Sequence, residues 1–128
     1  MIAYNQGNGQ IAICSQVSSV PEGAQYIETH VAPMDKLFRS AWRLGVDSIE
    51  TDLSGAKIIA HNMRRAKREI DFAPYDEIIA KQIPGHDAIA AEAARADIRT
   101  ADALLQSNID ACLDENTLRG VIEPLITV

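Results

Sequence analysis

Two long stretches of helical periodicity, separated only by Ile83-Pro84-Gly85, constrain this chain more than any other feature. Proline cannot continue a helical hydrogen-bond ladder, and glycine takes the reversed backbone conformation readily. The two stretches are therefore expected to fold back on each other as an antiparallel hairpin from about Leu53 to Cys112. On the first arm Ile59, Met63, Ala66 and Ile70 recur at spacings of four, three and four, one face of a helix, and Phe72, Tyr75 and Ile79 carry an apolar stripe onward. On the second arm Ala94, Ile98, Ala101, Leu105, Ile109 and Cys112 form the matching stripe, with alanines that let the arms approach closely. Asp52 or Ser54 can cap the first arm, because a side-chain oxygen there accepts from an otherwise unpaired amide. Asp87 places a negative charge near the start of the second, where the helix dipole favours it. Pro74 lies inside the first arm and removes one amide donor, which predicts a kink or a break near Asp71 to Ala73. After Leu113 to Thr117, Asp114 can cap a short last helix through Leu118 and Ile122, with Pro124 as its end. A hairpin of this kind supplies surface more than chemistry.

Residues 1–51 have the pattern of strands and turns. Ile2 and Tyr4 alternate with their neighbours, and Gln10 to Cys14 continues a strand-like pattern. Between them Asn5-Gln6-Gly7-Asn8-Gly9 tolerates the positive φ that a hairpin loop needs. Pro21-Glu22-Gly23 marks a turn before a β-prone stretch from Tyr26 to Val31, and Pro33 breaks it. Lys36 to Leu44 and Ser48 to Thr51 then flank Gly45-Val46-Asp47 as a second hairpin. A two-stranded ribbon is marginal in water unless it packs on something. The expected class is α+β: a small N-terminal antiparallel β segment (1–51), then a long antiparallel helical hairpin and a short C-terminal helix (52–128), packed together as one domain. A chain of 128 residues is long enough for one stable core.

That core is short of aromatics, which make up only 5% of the chain, so it must be built from Ile, Leu, Val and Ala. Smaller side chains bury less area each, and help from a partner or from self-association, as a homo-oligomer, is expected. The net charge of −6 argues against broad binding to nucleic acid or to anionic membranes. The longest apolar run is far short of a membrane span, and the first residues lack the basic and apolar regions of a secretory signal. A protein made and folded in the cytoplasm is the expectation. Cys14 and Cys112 form no CxxC or metal spacing and are expected to be buried free thiols.

No constellation in the sequence points to catalysis, a metal or a cofactor. His30, His61 and His86 do not pair with carboxylates or cysteines at a helical ligand spacing, and His61 lies one turn from Lys57 and Arg65, which repel a cation. Cys14 has no nucleophile signature, and no serine sits in a GxSxG elbow. Gly7-Asn8-Gly9 lacks the full glycine pattern and following helix of a phosphate loop. Asp76 and Glu77 are adjacent on a helix and face different directions, which makes them poor acid–base partners. The electrical exception is Arg64, Arg65, Lys67 and Arg68, four cations within five residues of an acidic chain. Such a cluster is a phosphate or nucleic-acid patch, a face paired with Glu69, Asp71 and the acidic second arm (Glu92, Asp97, Asp102), or a dock for an acidic protein. No aromatics are interleaved with it in the manner of single-strand binders. Trp42, the only tryptophan, is either an anchor between head and hairpin or a binding hot spot. The candidate interaction residues are therefore Tyr4, Phe38 and Trp42 in the head and Arg64, Arg65 and Arg68 on the first arm.

The run Phe38-Arg39-Ser40-Ala41-Trp42-Arg43-Leu44 is followed by Asp52, Ala56-Lys57, Arg64, Arg68 and Asp76, and later by Ala93-Ala94-Arg95-Ala96-Asp97-Ile98-Arg99. Over residues 37–122 this pattern resembles the small tail-region proteins of tailed bacteriophages and prophages, commonly encoded beside tail-fibre or baseplate genes. Those proteins have a short N-terminal β segment, a W-x-L stretch and a charged helical hairpin. The resemblance implies a non-catalytic protein acting by contact with a tail-fibre or baseplate protein. It would work in the host cytoplasm during assembly, or stay in the virion as a minor tail or adaptor component. An accessory role in nucleic-acid binding through Arg64, Arg65 and Arg68 is the alternative from another class.

Overall fold

A computed structural model describes residues 1–29, 36–82, 84–85 and 87–126, and divides into two compact units, Met1–Ala56 and Lys57–Val128. In the first, β1 (Ile2–Asn5) and β2 (Ile11–Cys14) pair antiparallel, Ile2 opposite Cys14 and Asn5 opposite Ile11. Their turn is closed locally. Asn5 Oδ1 accepts from the Gly7 amide at 2.9 Å, Asn8 Oδ1 accepts from the Gln10 amide at 3.0 Å, and Gly7 and Gly9 sit at φ 88° and 82°. The glycines thus serve a turn. β3 (Tyr26–Glu28) joins the other edge of β1, also antiparallel, so the sheet order is β2-β1-β3. Its expected continuation through His30 and Val31, and the break at Pro33, lie outside the described residues.

The second hairpin forms as β4 (Trp42–Leu44) and β5 (Ile49–Thr51). It is shorter than the sequence predicts, because Arg39–Ala41 makes one turn of 3-10 helix before β4 begins. At its tip the Gly45 amide donates to the Ser48 carbonyl at 2.8 Å, and a Cβ on Gly45 would lie 2.8 Å from that same carbonyl oxygen, so only glycine fits. Ala3 stands opposite Ile13 on one side and Ile27 on the other. This face packs with the second hairpin: Ala3, Ile11 and Trp42 are buried together, with Ile13, Ile27, Leu44 and Ile49 against them. Each ribbon thereby supplies the surface the other needs.

Helix α1 runs from Leu53 to Lys81. Asp52 is its cap: Oδ2 accepts from the Gly55 amide at 3.3 Å and the carbonyl from Ala56 at 2.9 Å. The helix is not broken at 71–73; it continues through Pro74. The residue whose carbonyl loses its donor, Ile70, is 72% exposed, so water can satisfy that oxygen. After α1, Gln82 (φ 48°) and Gly85 (φ 84°) take the left-handed conformation that reverses the chain; Ile83 and His86 lie outside the described residues. α2 (Ala88–Asp110) starts at Asp87, whose side chain accepts from the Ile89 amide, and α3 (Glu115–Val121) starts at Asp114, which accepts from Thr117 at 2.7 Å. Pro124 does not end the last helix, as expected from sequence. It sits second in a one-turn α4 (Glu123–Ile126), where a missing amide costs nothing. The α+β class, the antiparallel head and the helical hairpin stand as the sequence predicts, with two short C-terminal helices in place of one. No described helix is long and apolar enough to cross a membrane.

Candidate functional site

The arms of the hairpin meet through charge. Of the apolar stripe expected to form α1's side of the seam, the continuation through Phe72, Tyr75 and Ile79 is half-buried, with Phe72 against α2. Its first part points elsewhere: Ile59 and Met63 are half-buried, and Ala66 and Ile70 are exposed. The turn-related set Lys57, His61, Arg64 and Arg68 faces α2 instead. Arg64, only 4% exposed, holds Asp102 through one guanidinium nitrogen at 2.8 and 2.7 Å to the two carboxylate oxygens, and Arg68 joins the same carboxylate at 3.0 Å. Two turns away, His61 Nε2 lies 2.7 Å from Asp110 Oδ1, and Lys57 Nζ donates to the Asp110 carbonyl at 2.9 Å. Arg64 Nε donates to His61 Nδ1 at 3.3 Å, which leaves Nε2 as the nitrogen that donates to Asp110. Toward the turn, Arg95 reaches Asp76 at 2.9 Å, and the guanidiniums of Arg95 and Arg99 lie 5.6 and 5.9 Å from the centre of the Phe72 ring.

α2's predicted stripe fares better. Ile109 and Cys112 are buried, Ala94, Ile98 and Leu105 are half-buried, and only Ala101 is exposed. Of the two thiols, Cys112 is buried, donating to the Asn108 carbonyl at 3.2 Å, whereas Cys14 is only half-buried. Both are free.

The basic cluster is therefore divided. Arg64 and Arg68 share Asp102, Lys67 pairs with Asp71 at 2.7 Å, and Arg65 alone turns outward, donating to Asn62 at 3.2 Å. Pairing with Asp71 and Asp102 follows the sequence reading, while Glu92 pairs with Arg95 and Arg99 on its own arm. Beside the Arg64–Arg68–Asp102 group, α1, α2 and the C-terminal helices leave a groove of about 380 Å³. Its floor is Ile98, Ala101, Leu105, Val121 and Leu125, and Lys67, Asp71 and Asp97 stand on its rim. The rim carries both signs, so the groove suits apolar groups more than an ion.

In the head, Tyr4 is half-buried and stands opposite Tyr26 across the β1–β3 ladder. Phe38 and Trp42 are 1% and 3% exposed, and the Trp42 indole nitrogen has no hydrogen-bond partner among the described residues. Phe38, Trp42 and Arg64 are thus packed inside the chain, and Trp42 is the centre of the head's own core. Arg65 and the outer part of Arg68 are the expected contact residues that reach solvent on the hairpin. Sequence reasoning named Asp102 as a partner of the basic cluster but missed His61 and Asp110 as seam residues. Their signal was present in the 4-3-4 spacing of Lys57, His61, Arg64 and Arg68, matched by acids eight residues apart on the other arm. Among the described residues, no three His, Cys, Asp or Glu are grouped to hold a metal ion, and His30 and His86 lie outside them. No protein-family model, curated protein or solved structure matches the chain.

Proposed function

We propose that this protein acts by protein–protein contact in bacteriophage tail assembly, on a tail-fibre or baseplate protein, and performs no catalysis itself. The observation that carries the contact reading is the number of large apolar side chains the helical unit leaves in the open. Ile58, Ile70, Ile89, Leu104 and Leu113 are between 62% and 89% exposed. Apolar groups left exposed in this number favour burial against another chain. The assignment to a tail rests on the resemblance of residues 38–44 and of the two helical motifs to tail-region proteins. The head supports it in one respect: β2 and β3 are sheet edges, which suit the addition of a strand from a fibre or baseplate protein. The engagement of Arg64 and Arg68 by Asp102 argues against the nucleic-acid alternative.

Transient work in the host cytoplasm and permanent residence in the tail differ in stoichiometry. Mass spectrometry of purified virions is expected to find the protein absent or well below the copy number of the fibre, as an assembly factor requires. Stoichiometric presence would replace that role with the structural one. Co-purification of the tagged protein with neither fibre nor baseplate protein from infected cells would sink both.

A further inference from the structure

We propose that the outer face of α1 docks α1 of a second copy of this chain, antiparallel about a two-fold axis. Ile59, Met63, Ala66, Ile70 and Ala73 are spaced four, three, four and three. That is the repeat of a helix–helix seam, and α1 carries it on the side turned away from the face that holds α2. The inner seam is occupied by Arg64, Arg68 and His61; the outer one is open from Ala66 onward, with Ile70 72% exposed and Ala66 and Ala73 exposed beside it, while Ile59 and Met63 are half-buried. Glu77, bonded to Lys81 at 2.9 Å, ends the ribbon toward the turn. From Ile59 to Ala73 it spans about 21 Å.

The flanking charges select the occupant and its direction. Arg65 and Glu69 lie one turn apart on the same flank of the ribbon. Arg65 donates only to Asn62, and Glu69 has no ion-pair partner among the described residues. In an antiparallel pair that sets Met63 against Ile70 of the second copy, the same flanks meet. Arg65 then stands beside the second copy's Glu69, and symmetry repeats the pair. A parallel pair would instead set this flank against the opposite one, where Lys67 stands with Asp71 already bonded to it. Ala66 falls at the axis, where its small side chain lets the backbones approach. Lys67, on the opposite flank near the axis, is already neutralised by Asp71 at 2.7 Å. A ribbon this short favours a dimer that dissociates on dilution. The proposal does not depend on the tail reading, because it requires only this chain.

Sedimentation velocity on the full-length protein over a range of concentrations tests it. A monomer–dimer equilibrium is expected, weakened at least about tenfold by Ile70→Glu. Arg65→Glu and Glu69→Arg should each weaken it too, by setting like charges against each other, and the double variant should restore it. Arg65, Glu69 and Ile70 are exposed, so far-UV ellipticity should stay at the native value in each; a variant that loses it is replaced by Ala66→Arg, which blocks the axis. A chain that stays monomeric throughout, or a dimer indifferent to Ile70→Glu and Ala66→Arg, overturns the proposal. A double variant that remains as weak as the single ones overturns the antiparallel arrangement.

Discussion

Asp102 is the residue on which the hairpin most depends. Its side chain is 10% exposed and accepts from two guanidiniums, one of them, on Arg64, 4% exposed. A buried ion pair gains little over well-packed apolar groups, because both charges must leave water. Removing one partner is different, since the remaining charge stays buried without compensation. Asp102→Ala is therefore expected to destabilise the helical unit by about 3–5 kcal/mol. Arg68 can turn to solvent on its long stem, but Arg64 cannot. The double variant Arg64→Met, Asp102→Leu should return stability to within about 1 kcal/mol of the native protein. Urea unfolding followed by far-UV ellipticity measures both variants against the native protein; equal losses in the single and double variants would show that the pair is not what Asp102 serves.

At the scale of the element, Pro74 shows how tertiary contacts override local preference. A proline in a helix interior costs about 3 kcal/mol relative to alanine, through the lost donor and a clash with the preceding turn. α1 absorbs that cost because ties to α2 flank the proline, Phe72 beneath Arg95 and Arg99 and Asp76 bonded to Arg95. Pro74→Ala is expected to stabilise the hairpin by about 1–3 kcal/mol, read as a higher midpoint in thermal unfolding followed by far-UV ellipticity. A lower midpoint would mean that the proline shapes the arm for α2. The same competition explains what was legible in the sequence. The hairpin, its caps at Asp52, Asp87 and Asp114 and both β turns were legible, because each depends on residues within a few positions. The seam was not. α1 carries two 4-3-4 sets, apolar Ile59-Met63-Ala66-Ile70 and polar Lys57-His61-Arg64-Arg68, and periodicity alone favours the apolar one. What selects the polar face is the position of Asp102 and Asp110, 34 to 53 residues further along the chain. The edge pairing of β3 with β1 was hidden for a related reason, since nothing local to Tyr26–Glu28 names its neighbour.

The whole molecule joins two units held by different forces, and acid should separate them. In the head, burial of Ala3, Ile11 and Trp42 dominates, and the cross-strand pair Arg43–Glu50 is long at 3.5 Å and exposed. The helical unit depends on carboxylates. Glu92 lies below the usual carboxylate range chiefly through its hydrogen bond from Arg99, Glu77 through that from Lys81, and Asp114 through the Thr117 amide. A folded pKa below the unfolded one means that the unfolded chain takes up the proton first. Such a group stabilises the fold above the unfolded value, and the contribution disappears as pH falls through the folded one. These are exposed groups, so each acts locally, on a helix end or an arm surface. The loss should begin near about pH 5, where unfolded carboxylates start to protonate, and continue downward. Trp42, the sole tryptophan, reports on the head alone, and far-UV ellipticity reports mainly on the helices. On acid titration the helical signal is expected to fall first, with Trp42 emission still native, and Asp114→Asn should flatten the part due to the α3 cap. Coincident transitions would contradict this separation, because they would require protonation of the hairpin's carboxylates to unfold a core that contains none of them.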